Sequence, residues 1–261
     1  NVGIRDPETL QNFVEREREK GVYLSVLGFG QGNYNDALMQ KLAQNGNGHA
    51  AYIDTLNEAR KILVEEAAST LFPIAKDVKI QVEFNPARVA EYRLIGYESR
   101  RLRREEVNND RVDAGDIGAG HSVTALYEIT PVGSPAQRMD RLRYGSEPGE
   151  TARTGAGSDE YAFLRIRYKL PEARESRLVE TPVTVSDVRP SVESASRDSR
   201  FAAAVAAFGQ KLRGGDHLEG FTWGDILALA ETARGRDRFG YRTEFLNLVR
   251  LAETARAMGE R

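Results

Sequence analysis

Three patterns of hydrophobic and polar positions follow one another along the chain. The first alternates helical stripes with short apolar runs. Asp6 and Pro7 stand where an N-cap and a first helical residue belong, and Leu10, Phe13 and Val14 form one stripe opposite Glu15, Arg16, Glu17 and Arg18. Gly21 supplies the stop. Val22–Leu27 is almost wholly apolar, as expected for a strand buried on both faces of a parallel sheet. Asn35 is placed to cap a second helix with Leu38, Met39 and Leu42 inward, ending in Asn45-Gly46-Asn47-Gly48. "HAAYID" (49–54) reads as another buried strand, and "TLNEARKILVEEAASTLF" (55–72) as a long helix with Leu56, Ala59, Ile62, Leu63 and Ala67 inward. The order α-β-α-β-α predicts an α/β segment with right-handed crossovers.

After Pro73 the period changes to two. In "KDVKIQVEF", Val78, Ile80, Val82 and Phe84 alternate with Asp77, Lys79, Gln81 and Glu83, which predicts a strand with its apolar set toward a core. Four further segments, 88–98, 121–130, 160–170 and 176–186, read as strands, so the middle of the chain is expected to be an antiparallel, sandwich-like β domain. From about residue 190 alanine-rich helical stripes return at 199–215, 222–235 and 241–258. Thr222 with Asp225 three residues on resembles a capping box. Phe201, Phe208, Phe221, Trp223 and Phe245 fit the core of a small helical bundle. The expected organisation is 1–72, 73–189 and 190–261.

Composition narrows the chemistry. The 261 residues carry a formal net charge of −2, without the basic footprint that nucleic-acid partners require. No run of eighteen apolar residues occurs, the length a spanning helix requires. Cysteine is absent, which removes disulfides, thiolate zinc sites and a cysteine nucleophile. The three histidines, His49, His121 and His217, are scattered, which argues against a histidine metal site. "GFGQGNY" (28–34) tempts a phosphate-loop reading, yet the third glycine of a dinucleotide fingerprint falls on Asn33 and no Lys-Ser/Thr pair follows. A tight strand-to-helix turn, with Gly28 and Gly30 at positive φ, is the reading that remains. Asp110, Asp113 and Asp116 miss the spacing of a calcium loop. Arg100, Arg101, Arg103 and Arg104 are offset by Glu98, Glu105 and Glu106. No hydrolase, zinc-protease or kinase signature is present, and no catalytic residue is assigned.

The stretch "GVYLSVLGFGQGNYNDALMQKLAQNGNGHAAYIDTLNEARKILVEE" resembles the second half of a bacterial von Willebrand factor type A domain. "AKDVKIQVEFNPARVAEYRLIGYE", "NNDRVDAGDIGAGHSVTALYEITPVG" and "FGYRTEFLNLVRLA" resemble the C-terminal region of bacterial proteins that carry this domain type. The resemblance implies a partial doubly wound parallel sheet followed by the β-rich and helical parts. It makes the glycine-rich turn part of a ligand rim, with Gly28, Gly30, Asn33 and Tyr34 as candidates. The family's adhesion site, D-x-S-x-S with a later Thr and Asp, binds Mg²⁺ through oxygen ligands. No such motif occurs here, so no metal residue and no cofactor are assigned to this chain, and Mg²⁺ is expected only with the upstream half of the domain.

The implied function is a non-enzymatic module of a cell-envelope protein that binds a protein or surface ligand. The alternative is an intracellular assembly factor partnering a ring ATPase. Two short buried strands alone are marginal. The missing half of the domain, or self-association through the sheet edge, is therefore expected to complete them.

Overall fold

A computed structural model describes residues 6–30, 35–66, 72–96, 115–138, 159–173, 175–215, 217–218 and 220–259. They form a mixture of helices and sheets, with six α-helices among them. The chain divides into two compact units, one from Asn1–Val82, Leu102–Val123 and Leu164–Thr181, the other from Glu83–Arg101, Thr124–Phe163 and Pro182–Arg261.

The first unit opens with α1 (Pro7–Glu19), capped by Asp6, whose carboxylate accepts from the Thr9 amide at 2.7 Å. Strand β1 (Val26–Phe29) is joined through α2 (Asp36–Asn45) to a parallel β2 (Ala50–Ile53), in register from Val26 against Ala50 to Phe29 against Ile53. Asn35 caps α2 as its sequence predicts, accepting from the Leu38 amide. The first strand starts later than the apolar run implies. Leu24 is instead held by the turn after α2, its amide donating to the Gly46 carbonyl at 2.9 Å. That contact needs glycine at the turn, because a Cβ on Gly48 would lie 1.9 Å from the Leu24 carbonyl oxygen.

The long helix expected over 55–72 is shorter and differently turned. Helix α3 (Leu56–Arg60) widens into a π-type turn at Lys61–Glu65, and Ala67 lies outside the described residues. Leu56 is 86% exposed and Leu63 is also exposed, against the expected inward stripe. The physical reason is the width of the sheet. Among the described residues β1 and β2 pair only with each other, so the helix has β2 alone to cover.

Strands β3 (Pro73–Phe84), β5 (Gly115–Gly118), β7 (Glu160–Lys169) and β8 (Ser176–Thr184) form a second sheet in the order β5-β3-β7-β8, with β3 antiparallel to β5. β8, at its edge, is exposed along nearly its whole length. Residues 115–118, expected to belong to a loop, are this sheet's short fourth strand, and 121–125 precede the strand expected to include them.

In the second unit β4 (Val89–Ile95) pairs antiparallel with β6 (Leu126–Pro131). Phe84 stacks on Tyr92 at 4.4 Å and meets Tyr127 edge-on at 5.3 Å. Asn85 ties the turn before β4, donating from its side chain to the Glu160 carbonyl at 2.8 Å. Helices α4 (Arg197–Leu212), α5 (Trp223–Ala233) and α6 (Tyr241–Gly259) complete the unit. Their core is small and dense, with Ala204, Ala230 and Leu246 in one cluster and Ala207, Ile226 and Val249 in another. Alanines let the helix axes approach, and the phenylalanines fill the flanks. The Thr222–Asp225 capping box forms as its spacing predicts. Trp223 is only half-buried, since it occupies the first helical position at the end of the core, against Phe208 and under the Lys211 ammonium.

Candidate functional site

Two places combine specific geometry with chemistry. The first is the carboxyl end of the parallel strands. Gly28 lies inside β1, buried and in register with Tyr52, so it is a strand residue and not the turn glycine that the sequence implies. Gly30 takes the left-handed φ of +85° and exposes its backbone. The Tyr52 hydroxyl donates to the Gly30 carbonyl, fixing the strand end to the start of the turn. Phe29 projects beside it, 66% exposed. Asn33 and Tyr34 lie outside the described residues. Sequence reasoning missed Tyr52, which reads as one more apolar-run residue; its only signal is a hydroxyl at the end of a strand.

The second place is inside the β5-β3-β7-β8 sheet. Lys79 is fully buried, and its ammonium lies 3.1 Å from one carboxylate oxygen of Asp77. The Lys169 ammonium lies 3.0 Å from the other oxygen. Asp77 itself sits at φ +52°, where the pairing of β3 with β5 slips between Ala75 and Val78. Its amide donates to the Asp116 carboxylate at 3.1 Å. Over residues 77–80 the alternation of β3 is thus inverted relative to expectation, with Asp77 and Lys79 buried and Ile80 exposed, whereas at the end of the strand Glu83 is exposed and Phe84 half-buried, as expected. The irregularity at Asp77 is the reason, because an extra residue in one strand re-aims the side chains that follow.

What this cluster can do chemically is limited. The Asp77 oxygen that approaches Lys79 makes no hydrogen bond of good geometry despite the short distance. The pair is therefore a buried ion contact. Two lysines and two carboxylates gather here, Asp116 through the Asp77 amide. Asp116 serves the sheet instead of a calcium loop, and Asp110 and Asp113 lie outside the described residues. Among the described residues no group of three or more His, Asp or Glu side chains converges on a metal position, and no helix is long and apolar enough to cross a membrane.

Residues 69–255 match the family described as "Uncharacterized protein YfbK, C-terminal". A curated relative, "Uncharacterized protein YfbK" of Escherichia coli (strain K12), is 49% identical over 253 residues, an alignment covering 97% of this chain and 43% of the relative. The chain therefore spans less than half the length of that relative. No solved structure matches the chain. With most of its length matched by the family and nearly half of its residues shared with this relative, the chain belongs to the YfbK C-terminal family.

Proposed function

We propose that residues 1–72 are the second half of a von Willebrand type A domain and that the chain works as a non-enzymatic, protein- or surface-ligand-binding module of a bacterial cell-envelope protein. The observation carrying this reading is the parallel β1–α2–β2 unit, whose carboxyl-end rim holds Gly30, Tyr52 and the exposed Phe29. Open α/β sheets meet their ligands at that end of the strands. The pairing of β1 and β2 with each other alone, under a helix that leaves Leu56 in solvent, supports further strands joining this sheet. The β-rich strands and helices that follow are read as the accompanying sandwich-like and bundle regions. The Mg²⁺ adhesion site belongs to the upstream half.

Calorimetric titration with MgCl₂, run on this chain and on the complete E. coli relative, tests the reading. The expected result is a stoichiometric site in the relative and only weak, non-stoichiometric heat in this chain. A stoichiometric Mg²⁺ site in this chain alone moves the metal out of the upstream half. Its absence from both removes the adhesion reading. Fractionation of cells producing the relative supplies the second arm, since recovery in the cytosol with a ring ATPase would turn the function toward complex assembly.

A further inference from the structure

Folding brings together two histidines that lie far apart in the sequence. His49 precedes β2, and His121 follows β5. Their ring centres are 5.8 Å apart and the rings are tilted by 43°. Both are exposed. Their backbones are anchored independently. The His49 amide donates to the Ser25 hydroxyl at 3.2 Å, and its carbonyl accepts from the Val26 amide at 2.8 Å. The Gly48 contact with Leu24 holds the same turn from the other side. His121 closes a turn through its amide, which donates to the Gly118 carbonyl at 3.1 Å, after Gly120 at φ +77°.

We propose that His49 and His121 form a two-histidine surface site for a first-row transition-metal dication of the zinc, nickel or copper class. Two imidazoles bound to one such ion, with each nitrogen about 2.1 Å from the metal, have ring centres roughly 5–6 Å apart. The observed separation falls in that range. Imidazole selects these ions over Mg²⁺ and Ca²⁺, which prefer oxygen. No third protein ligand converges among the described residues, so the remaining coordination positions go to water or to a donor from another molecule. The site is therefore open, suited to capturing an external carboxylate or imidazole beside the end of the parallel sheet.

The test uses the full 261-residue chain and metal ions alone. Titration with ZnCl₂ at neutral pH is expected to give one ion per chain. His49→Ala and His121→Ala should each weaken that binding by at least about tenfold, a loss no smaller than that of an outer-shell partner. His217→Ala should leave it unchanged. Cu²⁺ bound to the unaltered chain should show two nitrogen ligands by electron paramagnetic resonance, a readout that needs no variant to fold. Undiminished Zn²⁺ affinity in the His49→Ala/His121→Ala double variant, absence of a stoichiometric Zn²⁺ site, or a copper spectrum with fewer than two nitrogens each overturns the proposal. Mg²⁺ does not report on this site, so its outcome is separate from that of the adhesion reading.

Discussion

The two compact units bury different things. In the second, the innermost side chains are Ala204, Ile226, Ala230, Ala233 and Val249, all fully removed from solvent. In the first, Val14, Leu42, Ala43 and Ile53 are buried too, but the most deeply buried side chain among the described residues is Lys79, and Asp77 lies beside it. A core of alanine and branched aliphatics gains stability from removing apolar surface and from close packing. A buried ion cluster gains little net stability, because desolvation opposes the attraction, but it penalises every arrangement that leaves one charge alone. The helical unit thus gains stability from buried apolar area, while in the sheet of the first unit the charge cluster acts by penalising arrangements that leave one charge alone.

The largest expected effect lies in the charge cluster. Asp77→Asn retains the shape and the tolerance for left-handed φ, yet leaves Lys79 and Lys169 facing a neutral amide. Removing one member of a buried ion pair costs about 3–5 kcal/mol. Denaturant unfolding followed by hydrogen exchange on β3 and β7 should register it there. A variant as stable as the parent would mean that water reaches Lys79 and that the contrast between the units is one of shape alone.

The second effect probes the apolar side of the comparison. Ile226→Ala removes a fully buried side chain from the cluster with Ala207 and Val249, and a cavity there should cost about 2–5 kcal/mol. Leu56→Ala, on the exposed flank of α3, should change stability by less than about 0.5 kcal/mol. Both are measured by denaturant midpoints. Equal effects at the two positions would show that α3 is covered in solution, for example by a second copy of the chain.

This contrast also explains what the sequence made legible. Helices α2, α4, α5 and α6 were readable, because a 3.6-residue stripe and a local cap need no distant partner. Asn35 and Thr222 cap where the spacing says. The core aromatics Phe201, Phe208 and Phe245 followed from the same stripe. Strand β3 was readable as a strand but not as to its faces. Its alternation is clean, and the slip at Asp77 that reverses it over residues 77–80 depends on pairing with β5, a strand too short and polar to stand out. At the candidate rim, the glycines announced a turn, but Tyr52 reaches Gly30 only because β2 lies parallel to β1. The proximity of His49 and His121 is likewise a product of tertiary structure, invisible to any rule about spacing.

The smallest effect is electrostatic and belongs to the helical unit. Hydrogen bonds from the Thr222 side chain and then its amide hold the Asp225 carboxyl below its ordinary range. A hydrogen bond from Arg242, reinforced by its charge, does the same for Asp198. At Asp237 burial pushes upward, but hydrogen bonds from the Thr243 side chain and from the Thr243, Arg242 and Gly240 amides together outweigh it and the net shift is down. Each group releases its proton more readily folded than unfolded. The unfolded chain therefore binds more protons in the interval between the two values, and stability rises with pH across it. The contribution is complete above the ordinary carboxylate value of about 4 and is lost as pH falls through the lower folded values. All three carboxyls are near the surface, so salt and water keep the effect modest. Melting followed by helical circular dichroism should show a midpoint that is flat near neutrality and declines below about pH 4. Thr222→Ala should lower stability by about 1 kcal/mol at neutral pH and make that decline shallower, since Asp225 then loses the hydroxyl donor and keeps only the amide. An unchanged acid slope in this variant would assign the acid sensitivity to Asp198 and Asp237, and a midpoint independent of pH would leave the helical unit held by its apolar core alone.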